Sequence, residues 1–504
     1  MDAINKETNK NGSTKGLNKP SSLEEFYAGS GILLTGATGF VGKGLLEKLI
    51  RLCPRIAAIF ILIRPKTNET IEQRLKKILD DPIYDDIKAK HPSAFSRVYA
   101  IKSDMGLPDL GLSQGDRNLL LEKVNIVFHS AATVRFNEPL DVAVNVNTKG
   151  TARIIELWNE LKQPISFVHV STAYSNANLQ KIEEKVYTTS LSPSEVIDMS
   201  DKFDKTSINQ IENSILKTYP NTYTFSKNLA EQIVASKCKD QPVAIVRPSV
   251  IAAALKEPCP GWIQNISAVT GTYVLIGKGC VTAVRGNRDT RLDIIPIDFV
   301  VDVIMCIAWH VTLHPEHEVK VYNCTSNANP FRFGQMIDTM VKCCIEAPLN
   351  DTIWYPICSV IANKYLYNFL SITPRILPAF AIDIILRLRG SKPIMMDLLR
   401  KSNKLFASFA FFTTHEWTFQ RDNCSELAKK VKMLRDSDMF KLDLKDMDWE
   451  KYGEIYLMGV RKFILKQEFK STARQRLSRL YWLHQITKIS GIIIFLWIIL
   501  SFVY

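Results

Sequence analysis

The sequence predicts an α/β protein with a doubly wound parallel sheet, followed by a mainly helical segment and a C-terminal membrane anchor. Short apolar runs rich in β-branched residues alternate with helical patterns up to about residue 345, as buried parallel strands and their helices do. The alternation then ends, and residues 489–504 are uncharged and mostly apolar. We therefore predict four regions, which are a polar tail (1–25), the sheet domain (26–345), a helical domain (346–470) and the anchor region (471–504).

The order of the elements follows from the position of each apolar run. Residues 1–25 are polar and lack an apolar core, which is typical of a disordered tail and excludes a signal peptide. Apolar residues at helical spacing in VGKGLLEKLIRL predict the first helix of the sheet domain, and longer helical patterns cover 139–162 and 223–237. The predicted strands are GILLTG (31–36), AIFILI (58–63), RVYAI (97–101), NIVFHSAA (125–132), ISFVHVST (165–172) and PVAIVRPSV (242–250).

Composition narrows the classes of partner. The chain has 504 residues, enough for two or three domains, and a net charge of +13 that favours anionic partners. Phosphorylated cofactors and membrane surfaces fit this charge, and no nucleic-acid partner is predicted because no such motif accompanies it. The ten cysteines are scattered without a CxxC pair, which indicates reduced thiols in a cytosol-facing protein and predicts no metal site.

The first strand–turn–helix unit carries the motif TGATGFVG, which comprises Thr35, Gly36, Ala37, Thr38, Gly39, Phe40, Val41 and Gly42. Glycines at these spacings let the backbone turn tightly, approach a pyrophosphate and pack helix against strand. The helix N-terminus then offers free N–H groups to the phosphates. The motif follows a strand and opens an amphipathic helix, which is the context that dinucleotide binding on a Rossmann-type sheet requires.

The end of the second strand indicates which dinucleotide binds. An acidic residue there would bind the ribose 2′-hydroxyl of NAD, but the sequence reads LIRPK and places Arg64 and Lys66 at this point. Two cations suit a 2′-phosphate, so NADPH is the predicted cofactor. The alternative is that the two cations belong to a solvated loop.

Tyr223 and Lys227, in NTYTFSKNLAEQ (221–232), lie four residues apart on a predicted helix and therefore on one face of it. Such a pair suits a catalytic acid and the ammonium group that tunes it. Tyr84 and Lys88 have the same spacing, so spacing alone leaves both pairs open.

Several motifs, taken in order along the chain, resemble those of extended short-chain dehydrogenases/reductases. They are TGATGFVG, Asp104 in KSDM, HSAA (129–132), Asn147 in NVNTKGT, Ser171-Thr172 in HVSTAY, YTFSK and RPSV (247–250). The finer resemblance is to eukaryotic fatty acyl-CoA reductases and covers roughly residues 24–460. It rests on LIRPK, YPNTYTFSKNLAEQIV, VRPSVIAAALKEPCPGWIQN and the later FFTTHEW (411–417) and DWEKY (448–452).

The resemblance implies roles for individual residues. Tyr223 would be the catalytic acid, and Lys227 would lower its pKa and hold the nicotinamide ribose. Thr172 matches the catalytic Ser/Thr, with Ser171 as the alternative, and Asn147 matches the asparagine of the proton relay. For the cofactor, Asp104 would contact adenine, Ala131 and Ala132 would line the groove, and Pro248 and Ser249 would lie near the nicotinamide.

The C-terminus predicts attachment to a membrane. Seven Lys or Arg residues against one acid in residues 461–479 precede the apolar run, and basic flanks stay in the cytosol. Residues 481–504 are long enough to cross a thin bilayer; the alternative is a buried terminal helix. A second apolar region, 355–388, contains charges and prolines and suits packed or interfacial helices, with a membrane hairpin left open.

Together these features predict NADPH-dependent reduction of long-chain acyl-CoA to a primary alcohol, through an aldehyde, at an endoplasmic reticulum or peroxisomal membrane. The resemblance supplies the substrate class and the choice of membrane. Two alternatives stay open, which are a reductase of sterols or other lipid carbonyls with the same fold and a non-catalytic NADPH-sensing scaffold.

Overall fold

A seven-stranded, fully parallel sheet organises the protein, with strand order β3-β2-β1-β4-β5-β7-β12. The computed structural model describes residues 22–503 except 267, 314–315, 369–379, 381–382, 385 and 394. The strands are β1 Gly31–Thr35, β2 Ala58–Ile63, β3 Val98–Lys102, β4 Ile126–His129, β5 Ser166–Val170, β6 Lys181–Ile182, β7 Val243–Pro248, β8 Val250–Ala252, β9 Ala283–Arg285, β10 Arg291–Leu292, β11 Ile294–Pro296, β12 Lys320–Cys324, β13 Phe331–Arg332, β14 Ser359–Ile361 and β15 Thr418–Phe419.

Helices cover both faces of this sheet, which confirms the doubly wound α/β class. The helices are α1 Leu23–Tyr27, α2 Phe40–Leu52, α3 Ile71–Leu79, α4 Asp85–Lys90, α5 Gln114–Lys123, α6 Leu140–Ala143, α7 Gly150–Glu160, α8 Pro193–Lys202, α9 Lys205–Leu216, α10 Thr222–Lys237, α11 Ala268–Gly277, α12 Ile297–Leu313, α13 Phe333–Glu346, α14 Met395–Thr414, α15 Asp422–Val431, α16 Trp449–Gly459 and α17 Ser471–Val503. Two π-helical turns, Val144–Lys149 and Val460–Leu465, follow α6 and α16.

Alternate residues of each strand enter different cores, as the period of two requires. In β1, Ile32 and Leu34 pack with α2 and α12 on one face, whereas Leu33 packs with α5, α7 and α10 on the other. The six predicted strands all appear, each within three residues of its predicted end. The seventh, β12, was not predicted, because its short run KVYNC gives little periodic signal.

The polar tail is shorter than the predicted 1–25. Residues 22–25 belong to the start of α1, which Ser22 caps in a reciprocal box with Glu25. Leu23 and Tyr27 of this helix are fully buried in the core beside α12. Residues 1–21 lie outside the described residues.

The predicted boundary at residue 345 lies at the end of α13, and many buried apolar residues in the described part of the segment that follows pack into cores shared with the sheet domain. Strand β15 pairs in parallel with β6, and Leu427 of α15 lies in the same core as β1. Helix α16 packs on α11, where the rings of Tyr456 and Tyr273 stack 4.9 Å apart. The described part of the C-terminal segment is therefore built onto the sheet domain.

Helix α17 is the predicted anchor. Among the described residues, Ser471–Ser501 is the stretch whose length and composition suffice to cross a membrane, and its most apolar window has no residues buried within the protein. This exposure excludes the buried terminal helix for that window. The start of α17 docks on the body of the protein through Tyr481, whose ring lies 5.3 Å from that of Tyr355. Much of the second apolar region, 355–388, lies outside the described residues, but Ser359–Ile361 pairs with β9.

Candidate active site

The turn between β1 and α2 has the backbone geometry that a dinucleotide phosphate requires. Gly36 has a φ of +77°, and a Cβ atom there would lie 2.7 Å from Ser130 Oγ and 2.9 Å from the Ala131 nitrogen. A Cβ atom on Gly42 would lie 2.6 Å from the carbonyl carbon of Gly36. Any side chain at these two positions would collide with backbone, so the close approach needs glycine.

The first turn of α2 faces the same place. Gly39 caps the helix without a side-chain hydrogen bond, so Phe40 and Val41 present the amide groups of the helix N-terminus. The side chain of Gln264 donates to the Thr38 carbonyl at 3.1 Å and holds the turn from the other side. This arrangement fits the diphosphate of a nicotinamide dinucleotide.

The predicted adenosine contacts lie at the carboxyl ends of the neighbouring strands. Arg64 directly follows β2, and Lys66 lies two residues further on; both side chains are exposed. Asp104 follows β3 and accepts a hydrogen bond from the Gly106 amide at 2.9 Å. The sheet therefore brings these three residues to the edge that carries the glycine turn.

Thr35 ties the end of β4 to this turn. Its hydroxyl oxygen accepts hydrogen bonds from the amides of Ser130 and Ala131 at 3.1 and 3.0 Å. The same oxygen lies 2.8 Å from His129 Nδ1. Ala131 and Ala132 follow directly and are half-buried along the predicted cofactor groove.

Tyr223, at the start of α10, lies beside the end of β5. Burial raises the pKa of Tyr223 to about 12, and hydrogen bonding to the Thr172 side chain acts in the opposite direction. The phenol is therefore protonated at neutral pH. The role of Lys227 in lowering the pKa of Tyr223 stays a prediction.

Lys227, one turn along α10, is almost completely buried, with 1% of its surface exposed. Its Nζ donates to the Val170 carbonyl at 2.7 Å and lies 3.2 Å from His169 Nε2. Burial lowers the pKa of Lys227 to about 8, although the charge of Glu231 opposes the shift. Burial and the Lys227 charge also hold the pKa of His169 well below its ordinary value, so His169 is neutral and its Nε2 accepts from the ammonium group.

Ser171 and Thr172 point to different surroundings, as neighbouring residues of an extended segment do. The Ser171 hydroxyl donates to Glu231, which forms a fully buried ion pair with Arg247 at 2.6 Å. Thr172 interacts with Tyr223, whereas Ser171 contacts the Glu231–Arg247 ion pair. The choice of Thr172 over Ser171 as the catalytic hydroxyl stays a prediction.

Asn147 lies in the π-helical turn before α7, a kind of irregularity often found at functional sites. Its side-chain amide donates to Ser226 Oγ at 3.0 Å and to the Thr133 carbonyl at 3.1 Å. Its Oδ1 accepts from the Thr133 amide at 2.9 Å. Asn147 therefore links the segment after β4 to α10, one residue from Lys227.

Pro248 ends β7, and Ser249 follows it with its amide donating to the Cys324 carbonyl at 3.1 Å. Both residues thus lie at the carboxyl end of the sheet, on the side of β5. The competing pair, Tyr84 and Lys88, is elsewhere: the Tyr84 hydroxyl donates to the Lys43 carbonyl, and Lys88 lies 3.6 Å from Asp80. The Tyr84–Lys88 pair is therefore explained by contacts that stabilise the fold.

Two features of the site were not predicted. His169 contacts Lys227 and precedes Ser171 by two residues, so the run HVST contained a signal for it. Phe136 stacks on the ring of Tyr223 at 5.9 Å and 28°, within a group of aromatic rings that α14 supplies. No local pattern marks Phe136, because its partners lie more than 80 residues away in the sequence.

Comparisons with known proteins identify the family of the chain. The NAD-binding family model described as male sterility protein matches residues 34–304, and the Sterile model of the same description matches residues 375–467. The chain is 35% identical to fatty acyl-CoA reductase 1 of Homo sapiens over 462 residues, which are 91% of this chain and 90% of that protein. It is 33% identical to fatty acyl-CoA reductase 2 of Homo sapiens over 467 residues, 92% of this chain and 90% of that one.

Solved structures show the same fold at low identity. The terminal R domain of the myxalamid PKS-NRPS pathway superimposes with a TM-score of 0.59 at 20% identity, covering 88% of this chain and 93% of the domain. The reductase domain of a nonribosomal peptide synthetase from Mycobacterium tuberculosis gives 0.56 at 18% identity, covering 88% and 93%.

The fold and the matched domain define a reductase with an NAD(P)-binding Rossmann sheet and a nicotinamide cofactor. Its relatives cover nine tenths of the chain, including the helical segment beyond the sheet domain. The chain belongs to the fatty acyl-CoA reductase family.

Proposed function

We propose that this protein is an alcohol-forming, NADPH-dependent reductase of long-chain acyl-CoA, held to a membrane by α17. The observation that carries the proposal is the grouping of Tyr223, Thr172 and buried Lys227 at the carboxyl edge of a dinucleotide-binding sheet. The match to fatty acyl-CoA reductases over 91% of the chain supports the substrate class. Basic residues just before α17 and in its first turns favour a cytosolic catalytic domain, and an endoplasmic reticulum or peroxisomal membrane is the proposed location.

Tyr223 has the role of the proton donor. NADPH, when bound, supplies the hydride, and negative charge then builds on the carbonyl oxygen of the substrate. A protonated phenol within hydrogen-bonding reach of that oxygen neutralises the charge. Because the Thr172 hydrogen bond favours the ionised form of Tyr223, it also stabilises the phenolate that proton transfer leaves behind.

Lys227 has a donor to spare for the cofactor. An ammonium group carries three N–H bonds, and Val170 and His169 account for two of them. The third would hold a hydroxyl of the nicotinamide ribose. Asn147 fixes α10 to the segment after β4 and so keeps Tyr223 and Lys227 in place. Arg64 and Lys66 would hold the 2′-phosphate of NADPH, which is the basis for preferring it to NADH.

The overall reaction uses two hydrides for each thioester. The first hydride adds to the thioester carbon while Tyr223 protonates the oxygen, giving a hemithioacetal. The C–S bond then breaks, the sulfur leaves as CoA thiol with a proton, and an aldehyde forms. A second hydride and a second proton convert the aldehyde to the primary alcohol, so one acyl-CoA consumes two NADPH and two protons.

The test is product analysis with the purified full-length protein in detergent. We expect palmitoyl-CoA and NADPH to yield hexadecanol and free CoA, with two NADPH oxidised per alcohol and slower turnover with NADH. A panel of sterol ketones tests the alternative substrate class. Tight NADPH binding without turnover of any lipid carbonyl would overturn the proposal in favour of a sensing scaffold.

A further inference from the structure

Four aromatic rings form a continuous surface next to Tyr223, and we call them the aromatic cluster: Phe136, Tyr174, Phe409 and Phe412. The Phe136 ring lies 5.4 Å from that of Phe409 and 5.5 Å from that of Phe412. Tyr174 meets Phe412 edge-on at 5.1 Å. Through Phe136, which stacks on Tyr223, the cluster reaches the proposed proton donor directly.

Two distant parts of the chain build this cluster. Phe136 belongs to the segment between β4 and α6, and Tyr174 follows the Ser171–Thr172 pair. Phe409 and Phe412 lie near the end of α14, in the helical segment beyond the sheet domain. The end of α14 is held by the Thr413 hydroxyl, which donates to the Arg285 carbonyl at 2.9 Å. The position of the two rings is therefore fixed by the fold.

The surroundings of Tyr223 are polar on one side and apolar on the other. Thr172 provides the polar side, and Phe136 covers the face of the ring on the apolar side. Phe136, Phe409 and Phe412 are each only half-buried, so part of their surface is available to a ligand. An acyl thioester has the same division, because its carbonyl oxygen is polar and the carbons next to it are a plain hydrocarbon chain.

We propose that the aromatic cluster binds the acyl chain as it leaves the thioester, with Phe136 against the first carbons and Phe409 and Phe412 against later ones, and so makes the enzyme prefer long chains to short ones. The proposal rests on the proposed function, since it assigns a place to that substrate. With the carbonyl oxygen at Tyr223 and Thr172, the chain leaves the reacting carbon across Phe136 towards Phe409 and Phe412. Each methylene group that moves from water onto these rings strengthens binding. A short acyl group has fewer methylene groups and therefore binds less tightly.

The experiment compares kcat/KM for palmitoyl-CoA and butyryl-CoA in the full-length enzyme. In Phe412→Ala and Phe409→Ala we expect kcat/KM for palmitoyl-CoA to fall about tenfold, and that for butyryl-CoA, whose chain ends over Phe136, to change by less than about twofold. Phe412→Leu keeps most of the side-chain volume, so kcat/KM for palmitoyl-CoA should fall less than in Phe412→Ala. Phe203→Ala, at a half-exposed phenylalanine outside the cluster, is the matched control.

Binding of NADPH, followed by its fluorescence, shows whether each variant is folded. If variants that bind NADPH normally lose activity by the same factor on both substrates, the cluster has no role in chain selection and the inference is wrong. If unfolding prevents NADPH binding in Phe412→Ala, the variants Phe412→Leu and Phe409→Ala decide by the same ratio of the two kcat/KM values. A wild-type protein that reduces neither acyl-CoA would instead contradict the proposed function itself.

Discussion

The Lys227→Met variant tests the burial of the Lys227 ammonium group through the stability of the protein, without a measurement of catalysis. Burial lowers the pKa of Lys227 to about 8, whereas an unfolded lysine titrates near pH 10.5. Between these two values the unfolded chain binds a proton that the folded chain has released. The free energy of unfolding of the wild type must therefore rise with pH across this window, and Lys227→Met lacks that contribution.

The size of the effect follows from the two pKa values. The titration of Lys227 lowers the free energy of unfolding by ~3 kcal/mol at pH 7 and by only ~1.4 kcal/mol at pH 9.5. We expect the wild type to gain about 2 kcal/mol relative to Lys227→Met between these pH values. The part of the Val170 hydrogen bond that does not depend on the protonation of Lys227 is lost equally at both pH values, so it cancels in this comparison.

The assay is urea denaturation of both proteins in detergent at pH 7 and pH 9.5, followed by tryptophan fluorescence. Lys88→Met, at the surface lysine of the other Tyr–Lys pair, is the control for exchanging lysine for methionine. A difference between wild type and Lys227→Met that stays constant or shrinks with pH would refute the account of the buried ammonium. A confirmed difference would mean that the fold tolerates a destabilising charge at the position where the proposed mechanism needs it.

Three further predictions concern the polar and cofactor contacts. In steady-state kinetics, Thr172→Ala should lower kcat by about 10- to 100-fold, whereas Thr172→Ser should retain most of the activity. In thermal melts, Ser171→Ala should lower the free energy of unfolding by about 1 kcal/mol. Arg64→Ala should raise KM for NADPH by at least about tenfold and leave that for NADH nearly unchanged; an equal change in both would contradict the 2′-phosphate assignment. Gly42→Ala should abolish NADPH binding, measured by fluorescence titration, because its Cβ would overlap the Gly36 backbone.

The sheet and the cofactor turn could be predicted because their signals are local. A buried parallel strand is a short β-branched run, and the glycine turn is a fixed pattern next to it, so β1, β2 and the position of Gly36 followed from the sequence. The pair Tyr223–Lys227 had a competitor in Tyr84–Lys88 until the fold placed only the first beside β5. The sequence alone could not show which of Thr172 and Ser171 faces Tyr223, because Ser171 is bound by Glu231, which lies sixty residues further along the chain.

The contacts that the C-terminal segment makes with the sheet domain could not be predicted from the sequence. Pairing of β15 with β6 joins Thr418 to Lys181, and the rings of Phe409 and Phe412 reach Phe136 across a similar distance in the chain. Periodicity describes one element at a time and carries no information on such partners. The pKa of Tyr223 was also out of reach, since it depends on how much of the ring the fold buries.

The central claim is that Tyr223 delivers the proton to the carbonyl oxygen, and one measurement tests it most directly. Wild type and Tyr223→Phe are loaded with NADPH, mixed with palmitoyl-CoA in a single turnover, and followed by NADPH absorbance and product mass spectrometry. The account predicts equal NADPH affinity for the two proteins and a loss of about 10²- to 10⁴-fold in the rate of hydride transfer for Tyr223→Phe. A Tyr223→Phe variant that reduces palmitoyl-CoA at the wild-type rate would contradict it.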